Sequence, residues 1–320
     1  MAKAEFTSIT EIDFKKKALD LFRDQFHNIE VYQSYCRLLG KDLNNVSSLN
    51  EIPFLPISFF KSHKVFRKNL KEEGFFMSSG TTAQPNRSRH YYHSLEGYEQ
   101  SFLTFFEATY GPISDIVLVA LLPSYKEQNH SSLIYMVDHI IKKAKPGSGY
   151  YKLGDQQLTK LFASDQKKLL IGVTYALLDW AESNPMALQN TIVMETGGMK
   201  GRRKEVVREE VHQQLKTAFK LDTIHSEYGM TELFSQAYSP GEGIFYPAPW
   251  MKVLIREAED PFTISSHEKT GGINIIDLAN THSCAFIATE DLGKTYSDGS
   301  FEVLGRFDTA EIRGCNLMID

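Results

Sequence analysis

Seven consecutive apolar residues, Ile116-Val117-Leu118-Val119-Ala120-Leu121-Leu122, stopped by Pro123, constrain the fold of this chain more than any other stretch. A strand with one wet face alternates apolar and polar residues, so an unbroken apolar run ending at a breaker reads as a strand buried on both faces. Such a strand belongs in a largely parallel sheet covered by helices on each side. Segments 169–173 and 191–194 are further strand candidates of this kind. Helical patterns fall between and after them, at 131–143, through Ala181 and over 204–219. Upstream, residues 10–39 read as one helix: Ile12, Leu19, Phe22, Phe26, Ile29 and Tyr32 recur near helical spacing, Thr10 and Asp13 can cap its start, and Gly40 ends it. Residues 94–109 also read as helix, 52–57 as extended because each residue before a proline avoids the α region, and 145–149 as a turn. From about residue 240 proline and glycine become frequent and strands shorten, and 271–277 suggests antiparallel or barrel-like structure. The expected fold is α/β: mainly parallel sheets flanked by helices, plus a small barrel-like β region.

Composition narrows the function classes. With 320 residues, 42% of them hydrophobic, the chain can bury a large core. A net charge of -5 argues against a nucleic-acid surface. Two basic runs, 15–17 and 200–204, sit among acidic residues and read as solvated helix faces. No apolar run approaches the roughly 20 residues of a membrane span, and the first residues lack a signal-peptide core, so the expectation is a cytoplasmic protein. Three cysteines at unrelated spacings (Cys36, Cys284, Cys315) make neither a disulfide framework nor a zinc pattern.

Chemistry concentrates in a few segments. Phe75-Phe76-Met77-Ser78-Ser79-Gly80-Thr81-Thr82 is an apolar lead-in that breaks into hydroxyl residues around a glycine. Gly80 permits a tight turn in which backbone N–H groups converge on an anion, and Ser78, Ser79, Thr81 and Thr82 add hydroxyl donors. The Gly-Lys-Ser/Thr ending of a Walker loop is missing, and an ordinary solvated loop is the alternative. Gly197-Gly198 follows a strand at its carboxyl end, where open α/β sheets bind ligands; a helix-entry turn would look the same. In Glu227-Tyr228-Gly229-Met230-Thr231-Glu232, the Tyr228 ring offers a flat face for a purine, Thr231 a hydroxyl for phosphate, and Glu232 the hard oxygen that Mg²⁺ prefers.

Four segments in this order, the 78–82 loop, Tyr228-Gly229-Met230-Thr231-Glu232, Thr289-Glu290-Asp291-Leu292-Gly293 and Gly305-Arg306-Phe307-Asp308, resemble the signature motifs of the adenylate-forming superfamily of acyl-CoA synthetases and related ligases. The resemblance implies the large ATP-binding domain of that superfamily, with ATP and Mg²⁺ as cofactors. It implies that Gly197, Gly198, Tyr228, Gly229 and Met230 surround the nucleotide, that Asp291 holds the ribose hydroxyls, and that Arg306 lies near ribose and phosphate. An acidic surface turn and a surface arginine are the plain alternatives for the last two. The chain departs from the motif pattern at Ala83 and Asn86, where the superfamily has glycine and lysine; Arg87 or Arg89 can supply a positive charge instead. The sequence stops fifteen residues after Gly305, so the expectation is an adenylation domain over 1–305, a residual hinge and tail over 306–320, and no small C-terminal domain with its lysine.

Within the superfamily the chain is similar to the bioluminescence acyl-protein synthetases, the ligase component of bacterial fatty-acid reductase. Pro53-Phe54-Leu55-Pro56, Leu122-Pro123-Ser124-Tyr125, residues 131–136 and Glu195-Thr196-Gly197-Gly198-Met199-Lys200 carry this likeness. It implies adenylation of a fatty acid followed by transfer of the acyl group to a cysteine near the C-terminus, here Cys315, whose thiol Arg313 would activate. Thr231 and Glu232 are the other expected catalytic residues, and Glu232 the expected metal ligand. His130, Ser131 and His225 fall at acyl-pocket or gating positions, and Ile134, Met136 and Phe234 are weakly favoured as pocket lining. For Cys315 an inert hinge residue is the alternative, and for each histidine a satisfied core side chain; Cys36 and Cys284 read as structural. Expected partners are a carboxylic or fatty acid, an acyl-accepting reductase or carrier protein, and a second copy in a homo-oligomer. Two rival readings stand beside this one: a phenylacetate-CoA-ligase-like enzyme that passes the acyl group to CoA or a carrier protein, and a degenerate nucleotide- or acyl-binding protein.

Overall fold

The computed structural model describes residues 9–79, 87–122, 130–197 and 207–307. The chain begins with helices α1 (Glu11–Asn28) and α2 (Glu30–Leu38), a two-residue strand β1 (Leu55–Pro56), the short helix α3 (Phe59–Ser62) and the antiparallel pair β2 (Gly74–Met77) and β3 (Arg89–Tyr92). Strands and helices then alternate: α4 (Glu96–Tyr110), β4 (Val117–Leu121), α5 (Ser132–Ile141), β5 (Gly149–Tyr150), α6 (Gln156–Phe162), β6 (Lys168–Gly172), α7 (Thr174–Ser183), β7 (Thr191–Glu195), α8 (Arg208–Phe219) and β8 (His225–Tyr228). Six strands complete the chain: β9 (Ala237–Ser239), β10 (Ile244–Pro247), β11 (Met251–Arg256), β12 (Gly271–Asp277), β13 (Phe286–Thr295) and β14 (Phe301–Arg306).

The apolar run at 116–122 forms β4, and alternate side chains serve opposite faces, as period-2 geometry requires. Leu118, Ala120 and Leu122 join a core with Phe106, Ile134 and Val137. Val117, Val119 and Leu121 join a separate core with Leu158, Trp180 and Leu215 from the helices on the other side. Both faces are therefore dry, which is why no polar residue interrupts the run.

Strand order across the large sheet is β11-β12-β13-β14-β10-β9-β8-β7-β6-β4-β5, with β1 alongside β13. Pairs from β5 through β8 are parallel, and those from β8 to β11 antiparallel. The antiparallel half is the β region anticipated after residue 240, but its strands are not uniformly short: β12 runs seven residues and β13 ten, longer than the five-residue parallel strands β4, β6 and β7. Strand β8 is the seam, parallel to β7 and antiparallel to β9.

Three local readings are corrected. The single helix expected over 10–39 is two helices, because Ile29 is extended (φ −113°, ψ 101°) with its side chain fully buried. That break re-aims α2 so that Tyr32 drops into the core and its hydroxyl donates to the Pro53 carbonyl at 2.7 Å. Residues 145–149 do turn, but Gly149 already belongs to β5, too short a strand to leave a pattern. Helix α6 was not anticipated; Asp155 caps it by accepting from the Gln157 amide at 2.9 Å. Thr10 caps α1 as expected, accepting from the Asp13 amide, and Gly40 follows α2 at φ +66°.

Leu118 and Leu170 are buried on opposite faces of neighbouring strands. Replacing either by alanine is expected to cost about 2–5 kcal/mol through lost burial and the cavity left behind. Urea unfolding should show a lower midpoint with an unchanged slope.

Candidate active site

At the carboxyl end of β8 the ladder changes from parallel to antiparallel, and the chain leaves the sheet in the turn 229–232. In open α/β sheets ligands bind beyond the carboxyl ends of the strands. The turn is held by side chains from distant elements. His90 Nδ1 donates to the Thr231 carbonyl at 2.8 Å, and Asn280 Nδ2 donates to the Glu232 carbonyl at 3.1 Å. Just beyond, the buried Asp277 carboxyl accepts from the amides of Phe234 (2.7 Å) and Ser235 (3.0 Å) and from the Ser235 hydroxyl (2.5 Å).

Two clefts flank this turn. One, of about 450 Å³, is walled by Ser79, Ser131, Glu195, Gly197, Glu227 and Gln236. The other, of about 380 Å³, is walled by Ser78, Arg87, Ser88, Glu232, Glu290 and Asp291. Ser79, Gly229, Met230, Thr231 and Arg306 line both, so the two form one site divided by the turn. The base of the hydroxyl loop is pinned on each side: the Ser78 amide donates to the Ser88 carbonyl, and the Ser88 amide to Ser78 Oγ, both at 3.1 Å.

Tyr228 connects the halves of the sheet. Its hydroxyl donates to Asp291 Oδ2 at 2.8 Å, and its ring packs edge-on against Phe245 and Phe301. Arg306 stands 3.7 Å from Asp291 and 3.3 Å from Glu290. Burial pushes the Asp291 carboxyl upward, opposed by Tyr228 and Arg306. Burial likewise raises the Glu232 carboxyl, which is 4% exposed. A buried carboxylate facing a polar cleft, with two more acidic residues on its walls, suits Mg²⁺, which takes one or two protein carboxylates and completes its shell with phosphate and water. The described residues therefore fit the ion, although they contain no cluster of three or more His, Cys, Asp or Glu ligands.

A carboxyl pair lies beneath the first cleft. Burial opposes ionisation of Glu195, but the neighbouring His212 and the hydrogen bond from Thr174 (2.8 Å) outweigh it and hold the group below its ordinary range. The Glu195 carboxylate also accepts from the Gly197 amide at 3.0 Å, fixing the turn in which Gly197 adopts φ +72°. Glu227 has none of this support: burial, and then the charge of Glu195, raise its carboxyl to about 8. Two nearby carboxyls in a dry site cannot both ionise cheaply, so Glu227 keeps its proton near neutral pH.

The site gathers Ser78, Ser79, Ser131, Gly197, Tyr228, Gly229, Met230, Thr231, Glu232, Asp291 and Arg306. Gly80, Thr81, Thr82, Gly198 and Cys315 lie outside the described residues. Two histidines stand apart from the cleft walls. His130 is exposed and stacks on Phe75 at 4.7 Å, and His225 hydrogen-bonds the Tyr110 hydroxyl at 3.3 Å. Ile134 and Met136 line the first cleft, whereas Phe234 is buried against Tyr98 and His90. Cys36 and Cys284 are buried, and burial pushes the Cys36 thiol to about 12 and the Cys284 thiol upward as well, so both are inert. Glu227 opens the quoted 227–232 segment but was given no role there; Gln236, Ser88, Lys61 and Arg208 were not singled out from the sequence, because none carries a local signal.

Comparison with known proteins agrees with the motif resemblance. The chain is 37% identical over 68 residues to a long-chain-fatty-acid–luciferin-component ligase of Photorhabdus luminescens, a match covering 21% of this chain and 58% of that protein. An open 2-hydroxyisobutyryl-CoA ligase in complex with 2-HIB-AMP and CoA superposes with a TM-score of 0.67 at 11% identity, over 93% of this chain and 70% of the ligase. ATP-bound MatB from Rhodopseudomonas palustris gives 0.53 at 14% identity, over 75% and 49%. Thus the chain spans little more than half of the curated relative and about half of MatB. No family model matches it. The fold is that of these adenylate-forming acid ligases, as the motifs implied.

With its carboxyl raised from 4.5 to about 8, Glu227 binds a proton in the folded chain that it releases when unfolded across that pH window. Its contribution to stability therefore falls as pH rises from about 4.5 to 8. Glu227→Gln should melt near the wild-type temperature at pH 5 and increasingly above it toward pH 8, as followed by thermal unfolding.

Proposed function

We propose that this chain is an ATP-dependent acid ligase that converts a long-chain fatty acid to acyl-AMP and then carries the acyl group on Cys315. One juxtaposition supports this reading most. The hydroxyls at 78 and 79, the 228–232 turn, Asp291 and Arg306 come from four separated motifs, yet they line one divided cleft at the seam of the sheet. The names of the relatives point the same way: one is a fatty-acid ligase, and others hold ATP or an acyl-AMP.

In this reading Tyr228, Gly197, Gly198, Gly229 and Met230 surround the adenosine, Asp291 takes the ribose, and Ser78, Ser79, Gly80, Thr81 and Thr82 cradle the phosphates. Ser131 faces the acid. A carboxylate oxygen of the acid attacks the α-phosphorus; the new O–P bond forms as the bond to the β-phosphate bridging oxygen breaks, and pyrophosphate leaves with the electron pair. Thr231 and Arg306 stabilise charge on the transferred phosphoryl oxygens, and positioning supplies much of the rate. Glu232 would hold Mg²⁺, whose charge would neutralise the departing phosphates. In the second step the Cys315 thiolate attacks the acyl carbon, the C–O bond to AMP breaks, AMP departs, and the thiol proton passes to solvent. We assign the protein to the cytoplasm and its acyl group to a reductase or carrier partner; no described helix is long and apolar enough to cross a membrane. CoA is the alternative acceptor, favoured by the CoA bound to the 2-hydroxyisobutyryl-CoA ligase.

Intact-protein mass after incubation with Mg-ATP and a panel of acids tests the proposal. An ATP-dependent, hydroxylamine-labile adduct that disappears in Cys315→Ala is expected; pyrophosphate release without any adduct would reject Cys315 and favour CoA. In acid-dependent ATP–pyrophosphate exchange, Glu232→Gln should lose about a hundredfold or more in rate. Tyr228→Phe removes one hydrogen bond to a carboxylate and should raise the KM for ATP about tenfold.

A further inference from the structure

Three elements besides its own strand reach the carboxylate of Glu195, the last residue of β7. Its Oε1 accepts from the hydroxyl of Thr174, the first residue of α7, at 2.8 Å and from the Gly197 amide at 3.0 Å. Its Oε2 accepts from the Ser226 hydroxyl of β8 at 3.2 Å. From α8, His212 Nε2 lies 3.2 Å from that same hydroxyl and 3.8 Å from Oε2. Thr174, Glu195, His212 and Ser226 are all buried. Arg208, one turn before His212 on α8, adds attractive charge, and the protonated Glu227 of β8 stands nearby. The proposed mechanism uses none of the four buried side chains.

The protons available fix the direction of this chain. Glu195 is ionised, so its oxygens only accept. Ser226 has one hydroxyl proton, and giving it to Glu195 leaves Oγ as an acceptor toward His212. His212 therefore carries a proton on Nε2 and donates it to Ser226, which donates to Glu195. A serine nucleophile needs a different order, with the histidine between serine and carboxylate and taking the serine proton. The trio is a hydrogen-bond chain that holds a carboxylate, not a hydrolase triad.

What the carboxylate holds is backbone. The Thr196 amide donates to the Gly172 carbonyl at 3.0 Å, and the next amide, that of Gly197, turns back onto Glu195. Among the described residues a Cβ at 197 would meet no atom within 4 Å, so side-chain packing does not confine this residue and the bond to Glu195 does. The nucleotide cleft lies directly beyond, lined by Glu195, Thr196, Gly197, Arg208 and Ser226.

We propose that His212 is a positioning residue for the nucleotide: through Ser226 it holds the Glu195 carboxylate in place, and that carboxylate holds the Gly197 peptide against the cleft. The effect on ATP rests on the acid-activation reading; the hold on Gly197 does not. Cutting the chain should weaken nucleotide binding about tenfold, as expected for one hydrogen bond to a charged group. The turnover rate should change little, because the acid and the reacting phosphate are held by other residues.

The test uses the full chain with isotope-labelled glycine for NMR, mant-ATP as a fluorescent nucleotide probe, and ATP–pyrophosphate exchange on long-chain acids in parallel. His212→Leu removes the donor, and His212→Gln keeps an amide donor of similar reach. Ser226→Ala cuts the chain one step later and serves if His212→Leu does not fold. In His212→Leu, mant-ATP should bind about tenfold more weakly, the KM for ATP should rise to match with kcat little changed, and the Gly197 amide should exchange faster with solvent. All three should recover in His212→Gln. The double variant should bind no worse than the weaker single one, since both substitutions cut the same chain. Faster Gly197 exchange in His212→Leu, with no nucleotide bound by the wild type, would uphold the chain and reject the ATP reading instead. A lower melting temperature with Gly197 exchange and mant-ATP affinity unchanged would overturn the proposal. So would additive losses in the double variant, or a loss in His212→Gln equal to that in His212→Leu.

Discussion

The turn that leaves β8 has no secondary structure to satisfy its backbone, and the buried side chains that do so organise the rest of the molecule around it. His90 arrives from β3, and Asp277 and Asn280 from the end of β12. Gln25 on α1 bonds the Asn280 and Ser283 carbonyls and the Ala285 amide in turn. Gln25, His90, Asp277 and Asn280 are all fully buried. A buried amide or carbonyl stripped of its partner costs about 1–3 kcal/mol, so this network penalises any arrangement in which the turn moves. The first helix is thereby coupled to a site some two hundred residues away in sequence.

Rigidity there matches what acid activation would need. Positioning is the main resource of a phosphoryl- or nucleotidyl-transfer site, and groups held by packed strands are positioned better than groups on free loops. The strand seam adds a chemical asymmetry. On one side Glu195 is ionised and multiply bonded; on the other Glu227 faces the cleft with its proton retained.

Much of this was legible in the chain. The apolar run at 116–122 announced a strand dry on both faces because only helices on both sides can remove both sets of alternating side chains from water. The hydroxyl residues at 78–79 and the 228–232 turn carried their chemistry in residue type, and the ordered motifs indicated a shared site. Other features left no local trace. Ile29 breaks a helix with no glycine or proline present, because burying its side chain and re-aiming α2 outweighs helical continuity. His225 and Glu227 point to the same face of β8, two residues apart. Only Glu227, nearer the strand's carboxyl end, reaches the cleft, and the end at which a cleft opens is a property of the sheet.

The sequence by itself determined the buried parallel strands β4, β6 and β7, most of the longer helices and the residue types available for nucleotide chemistry. These follow from hydrophobic period, breakers and side-chain donors, all of which are local. Tertiary structure alone decided that Tyr228 meets Asp291 and that Glu227 rather than His225 faces the cleft. Each of those depends on strand order and register, which bring together residues from remote parts of the chain and which no short window of sequence encodes.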